Sequence, residues 1–323
     1  MGGALFTTHR CSWLVALLAG GLSACSAPSP KDDAGVDGGE LDAGLVLITP
    51  TCGCTTWGNQ RAGGQINPPL NELSGLAASR TQANVFYAHN DSGDSSHFFA
   101  INQTGGLLET FELKGTASNV DWEDIAVGPC PSGQCVFIAD TGDNTFVRTD
   151  YAIYRVPEPT VTSGTVKLEN WEKFPFEYPG ALKHNVEAMF VHPQTGQVYL
   201  ITKETAGTSG LFKLPMPLNS SFSATAIFVT QLTIPTVTDA SITGASADPC
   251  GTGVLVRMYN RLVEYRLPMG ADFESMFSGT PLPVPAANED QGEAVTYAAD
   301  ARSYFTSSET LATPPPLYEY RCR

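Results

Sequence analysis

From about residue 70 to its end, the chain repeats one pattern: a short apolar run, a polar turn, and another apolar run. The runs are the length of strands, and the i, i+3, i+4 spacing of an amphipathic helix is nearly absent. With 31 glycines and 23 prolines in 323 residues, punctuation is dense enough to predict an all-β chain. The first full unit predicts four strands, over residues 74–79, 85–89, 97–102 and 107–113, with Gly105-Gly106 turning the last pair.

Stacking the apolar runs by their acidic starts exposes an internal repeat. Glu72-Leu-Ser-Gly-Leu-Ala leads to Val85-Phe-Tyr-Ala-His89-Asn-Asp91, and Glu123-Asp-Ile-Ala-Val leads to Val136-Phe-Ile-Ala-Asp140. Glu187-Ala-Met-Phe-Val leads to Val198-Tyr-Leu-Ile-Thr-Lys203, and Glu293-Ala-Val-Thr-Tyr leads to Ser303-Tyr-Phe-Thr-Ser-Ser-Glu309. A fifth copy has Thr243 at the glutamate position and leads to Val254-Leu-Val-Arg257. The spacings between starts are 51, 64, 56 and 50 residues, which suits propeller blades of about four strands. The chain is therefore read as a single closed β-propeller of five blades over residues 45–323. Six would follow if the 64-residue unit or the N-terminal segment held another. The last unit has room for three strands, so its fourth is expected from residues 45–48 or 55–65, with Cys322 stapled to Cys52 or Cys54 across the seam.

The N-terminus changes the picture of where the chain works. His9-Arg10, the apolar run from Trp13 to Ala19 and then Leu22-Ser-Ala-Cys25 have the order of a secretory signal, too short to span a membrane. Leu-Ser-Ala-Cys resembles the bacterial lipobox. That resemblance implies a signal peptide over 1–24, lipidation at Cys25 and, since no aspartate follows it, the outer membrane of a Gram-negative cell. Residues 25–44 carry five acids against Lys31 alone and almost nothing to bury, and read as a disordered acidic tether.

A net charge of −15 argues against nucleic acid or an anionic membrane surface as partner, leaving the lipid anchor as the membrane contact of a monomer. Beyond Cys11 and Cys25, six cysteines remain, an even number that reads as disulfides in an oxidising compartment. Cys130 and Cys135 flank a Pro-Ser-Gly-Gln turn and are expected to clip one hairpin.

In a propeller, the start of each inner strand and the loop after the second strand share the top face, beside the channel. The first position holds Glu72, Glu123, Glu187 and Glu293, with Asn71, Asp121, Asn185 and Gln291 nearby. Four converging carboxylates repel unless a cation or protons neutralise them, and oxygen ligands in that number suit calcium better than zinc. Otherwise each glutamate caps its own blade. The second position holds Asp91-Ser-Gly-Asp94, Asp140-Thr-Gly-Asp143, Lys203, Arg257 and Glu309. These are either further site residues or Asx turns. His89 is a candidate general base, and Lys203 and Arg257 are candidate anchors for an anionic group. No Gly-x-Ser-x-Gly elbow, phosphate-cradling Gly-x-x-x-x-Gly-Lys or His-Glu-x-x-His pair is present.

Glu123-Asp-Ile-Ala, Glu187-Ala-Met and Gln291-Gly-Glu293-Ala-Val resemble inner-strand motifs of secreted bacterial propellers of the esterase-like, phytase-like and calcium-activated apyrase kinds. The resemblance implies calcium on the channel glutamates and departs at Thr243. The expected function is a calcium-dependent hydrolase of a phosphoester, ester or lactone, with Glu72, Glu123, Glu187 and Glu293 holding the metal. His89 or Asp91 would move the proton, and Lys203 and Arg257 would orient a small anionic substrate. The alternative is a non-enzymatic propeller that binds an envelope ligand around structural calcium.

Overall fold

The structure is a computed structural model, and it describes residues 47–204, 208–234, 241–289, 291–309 and 314–323. The expected signal peptide, Cys25 and the tether lie outside the described residues. Among the described residues, no helix is long and apolar enough to cross a membrane.

After β1 (Arg61–Gln65), the first blade runs β2 (Leu73–Ala78), β3 (Val85–Asn90), β4 (His97–Asn102) and β5 (Leu107–Leu113). The second has β6 (Trp122–Cys130), β7 (Gly133–Asp140) and β8 (Ala152–Pro157), then an excursion strand β9 (Gly164–Leu168), then β10 (Glu172–Glu177). The third has β11 (Val186–Val191), β12 (Val198–Thr202), β13 (Gly210–Lys213), a short β14 (Ala224–Thr225) and β15 (Ile227–Gln231). The fourth has β16 (Ile242–Ala247), β17 (Gly253–Met258), β18 (Arg261–Arg266) and β19 (Leu282–Val284). The fifth has β20 (Gly292–Tyr297), β21 (Ser303–Ser308) and β22 (Pro316–Arg321). Within each blade successive strands pair antiparallel, and the sheets form a five-bladed β-propeller around β2, β6, β11, β16 and β20.

Two features explain the uneven repeat. The 64-residue unit holds no sixth blade: β9 leaves blade two to pair parallel with β5 of blade one, and β14 leaves blade three to pair parallel with β10 of blade two. The fifth blade takes its outermost strand from the N-terminal side, where β1 pairs antiparallel with β22. This is the expected shared blade, supplied by part of 55–65. A β-bulge between Ala62 and Gly64 presses Gly64 against the Thr104 backbone, where a side chain would overlap it.

Inner strands are buried on both faces, so away from their bulges they are mostly apolar, and five hydrophobic clusters fill the five blade interfaces. The cluster at the seam packs Trp57 edge-on against Tyr304, with ring centroids 4.9 Å apart, beside Tyr297 and Tyr320. Trp57 also bridges to Cys322. Disulfides join Cys54 to Cys322, Cys52 to Cys250 and, as expected, Cys130 to Cys135.

The Cys54–Cys322 link closes a loop with 268 residues of sequence separation, so its loss frees much denatured-chain entropy. Replacing both cysteines by serine should lower unfolding stability by about 2–4 kcal/mol, measured by urea denaturation. Non-reducing peptide maps should show these three pairs, and any other pairing overturns this seam.

Candidate metal centre at the channel mouth

Each inner strand carries a bulge at the same point: register shifts between Leu73 and Gly75, Trp122 and Asp124, Val186 and Ala188, Ile242 and Gly244, and Gly292 and Ala294. The residues inside the bulges are Ser74, Glu123, Glu187, Thr243 and Glu293. This corrects the expected glutamate set. Glu72 stands two residues earlier and is the counterpart of Asp121, Asn185 and Gln291. In blades one and four the bulge residue is a hydroxyl that donates to the next blade, Ser74 to the Glu123 carbonyl at 2.7 Å and Thr243 to the Gly292 carbonyl at 2.7 Å.

The strand-end ring is equally regular. Backbone N–H groups of Asp91, Thr141, Lys203 and Glu309 donate to the carbonyls of Glu72, Asp121, Asn185 and Gln291 over 2.8–3.1 Å. Tyr259 holds this place in blade four, since Met258 before it pairs with Ile242. In blades one, two and five the residue before the ring member caps the inner strand. Asn90 Oδ1 accepts from the Glu72 N–H at 3.2 Å, Asp140 Oδ1 from Asp121 at 3.1 Å and Ser308 Oγ from Gln291 at 3.2 Å. The two Asp-Ser/Thr-Gly-Asp runs are therefore out of step by one, with Asp91 opposite Thr141. Asp140 is a buried strand cap, ion-paired with Arg148 at 2.8 Å.

Three acids converge where blades one and two meet. Asp91, Asp121 and Glu123 each place a carboxylate oxygen within 4.8 Å of the others, near enough for one ion. Burial, then the Asp91 charge, pushes Asp121 up to about 6. Burial, reinforced by Glu187, Asp91, Asp121 and Glu293, drives Glu123 well above the ordinary range. The pair rests on Gly142, where a Cβ would overlap both the Glu123 and the Asp121 carboxylates. Oxygen donors alone, in an uncompensated cluster, have the chemistry of a hard cation site.

The other expected residues divide sharply. Glu187 is satisfied by Asn185 at 3.0 Å and by an ion pair with Lys203, so it is not a free ligand. Glu293 is buried and protonation-prone, first through desolvation and then through the Glu187 charge. Glu72 lines a separate open hollow with Asn71, Asp94 and His97. His89 and Arg257 are both 0 % exposed and do not serve as expected. Their register explains it: they pair across from Gly75 and Gly244, and His89 fills the space that Gly75 leaves in its inner strand, whereas the space at Gly244 is taken by the Glu293 carbonyl and the Arg257 guanidinium lies against Gly292. A Cβ on Gly75 would lie 2.6 Å from His89 Nε2. His89 donates through Nδ1 to the Asn90 carbonyl at 2.8 Å, packs edge-on against Trp122, and is held neutral by burial. Arg257 is ion-paired with Glu289 under Gly292. Neither reaches a substrate.

From sequence, Asp121 stands only as a neighbour of the glutamates, with no ligand role, and Tyr259 carries no role. Asp121 could have been found from its two-residue spacing to Glu123, which a bulge keeps on one side.

Gly142→Ala should displace both carboxylates and weaken divalent-cation binding by about 10–100-fold, the cost of disturbing a metal site's surroundings. The measurement is the calcium concentration at half-maximal rise in melting temperature, and an unchanged midpoint would remove Gly142 and its two neighbours from the site.

No family profile and no curated protein matches the sequence. Among solved structures, the chain is similar to a gluconolactonase from Xanthomonas campestris, at 10 % identity and TM-score 0.48 over 86 % of this chain and 98 % of that one. A proposed 6-phosphogluconolactonase from Bacteroides uniformis matches at 13 % identity and TM-score 0.37, over 76 % of this chain and 66 % of that one. A chain of the mitotic checkpoint complex matches at 12 % identity and TM-score 0.37, over 76 % of this chain and 60 % of that one. These likenesses concern the fold.

Proposed function

We propose that the protein is an exported, lipid-anchored hydrolase whose mouth holds calcium on Asp91, Asp121 and Glu123 and acts on a neutral ester or lactone. The convergence of three carboxylate oxygens within 4.8 Å carries this reading. A calcium ion there would polarise a carbonyl oxygen or lower the pKa of a bound water. Carboxylates already pressed toward protonation accept a cation in place of protons. A phosphoester fits the mouth less well: Lys203 is engaged by Glu187 and Arg257 by Glu289, so no free cation offsets the acids of the mouth among the described residues. A second reading, a binding platform around structural calcium, draws on the top-face loop of blade two, where Phe146 is 50 % and Val147 70 % exposed.

Calcium at about 100 times its Kd should stabilise the protein by roughly 2.7 kcal/mol, and Glu123→Gln should abolish that response. Because Asp121 and Glu123 have folded-state pKa values above their unfolded ones, the folded protein holds these protons more tightly. Without a cation, their contribution to stability is therefore greatest at low pH; that of Asp121 falls as pH rises from about 4 through 6, and that of Glu123 falls as pH rises through its own raised folded-state value. Calcium should flatten this slope, bind more weakly below about pH 6 and release protons on binding. Calcium-dependent turnover of aryl esters or lactones, but not aryl phosphates, supports the enzyme. Calcium binding with no turnover across the panel supports the platform.

The proposed anchor has its own measurement. Mass spectrometry of the membrane fraction should find a diacylglyceryl group on Cys25, and an unmodified chain starting elsewhere would sink it.

A further inference from the structure

Lys203 and Tyr259 face the same acidic mouth from blades three and four, across from the three clustered acids. Lys203 Nζ is ion-paired with Glu187 and donates to Tyr259 Oη at 2.8 Å. The ammonium also lies 4.9 Å from the Tyr259 ring centroid. Glu187 and Glu293 act electrostatically on Glu123 and also on Tyr259, which places all of them around one volume.

The direction of the Lys203 hydrogen bond decides what the phenol can do. An ammonium has donors and no acceptor, so Tyr259 Oη is the acceptor in this pair and its own proton points elsewhere. Among the described residues that proton meets no acceptor. Burial raises the Tyr259 pKa and outweighs the lowering effect of Lys203, so the proton stays on at neutral pH. Lys203, for its part, has its charge balanced by Glu187. The pair therefore presents a polarised neutral O–H donor rather than a free cation.

We propose that Tyr259 is the hydrogen-bond donor to an oxygen of the mouth's ligand, with Lys203 as the positioning residue that turns the phenol proton away from Glu187 and into the mouth. The ligand chemistry is a neutral acceptor oxygen, as on an ester or lactone carbonyl. This rests on the cation reading of the mouth but assigns a separate group on the opposite wall. Without Lys203, the phenol would be free to donate to the Glu187 carboxylate instead, and the donor would be lost to the ligand.

Tyr259→Phe removes only the hydroxyl, and it leaves Asp91, Asp121 and Glu123 intact. With δ-valerolactone and p-nitrophenyl acetate as probes, it should lower kcat/KM by about 10–100-fold, the scale of losing one preorganised donor. Its calcium-dependent rise in melting temperature should keep the wild-type midpoint. Lys203→Met should act in the same direction, with partial recovery in Lys203→Arg, which restores a donor to the phenol oxygen. Saturation-transfer NMR of δ-valerolactone on the calcium-loaded protein reads binding without turnover, and Tyr259→Phe should lose most of the wild-type signal. Wild-type kinetics and wild-type NMR signal in Tyr259→Phe overturn the inference while leaving the cation site standing. Absence of lactone binding in both proteins overturns it as well. Loss of the calcium response in the wild type would instead strike the cation reading, and the NMR contrast between the two proteins would still decide the role of Tyr259.

Discussion

One buried carboxylate ties the channel together. Asp124 Oδ2 accepts from the backbone N–H of Met189 at 2.8 Å and of Ala245 at 3.1 Å, while Oδ1 accepts from Ile125 at 2.8 Å. Inner strands at a propeller axis have no further strand to pair with on their channel side, and an unpaired buried N–H costs about 1–3 kcal/mol. One side chain from blade two satisfies such groups in blades two, three and four at once. The bulge that sets Asp124 into the channel also sets Glu123 beside Asp121 and Gly142, so fold closure and the candidate site depend on the same break in strand register.

The mouth's electrostatics follow from selective compensation. Burying like charges is unfavourable unless each finds a partner, and three bases near the top face each pair with a buried acid: Arg148 with Asp140, beside exposed Asp150, Lys203 with Glu187, and Arg257 with Glu289. What remains without an ion-paired base at the blade one and two junction, among the described residues, is Asp91, Asp121 and Glu123. A cluster left uncompensated beside three compensated acids is a local departure from stable design, the kind of departure expected at functional sites.

The blade count was legible because each unit repeats two apolar strands that must be buried on both faces, and that pattern survives insertions such as β9. The site was only half legible. A period cannot reveal a bulge, so Glu72 was read as equivalent to Glu123 although Ser74 occupies that place. The cross-blade meeting of Asp91 with Asp121 has no trace in local spacing. His89 and Arg257 look alike in sequence to strand-end functional groups. The burial of His89 did have a signal, because Gly75 stands where other blades carry Asp124, Ala188 and Ala294, and the glycine leaves a hole that the imidazole fills.

Five blades also constrain how a ligand arrives. With so few inner strands the axis is narrow, and below the mouth Ile125, Val127, Phe190 and their neighbours leave a cavity of about 20 Å³, room for roughly one water. A cavity of that size holds nothing larger than a water, which leaves the top face as the surface that a ligand meets. The groups that meet it are then those at the bulges and in the strand-end ring, two positions per blade. Of ten such positions, glutamate, aspartate, lysine and tyrosine fill most, while Ser74, Thr141 and Thr243 turn their hydroxyls to neighbouring backbone carbonyls. The chemistry is thereby divided between two walls, acids on blades one and two and the Lys203–Tyr259 donor pair on blades three and four. A carbonyl held between a cation and a phenol would be polarised from both sides.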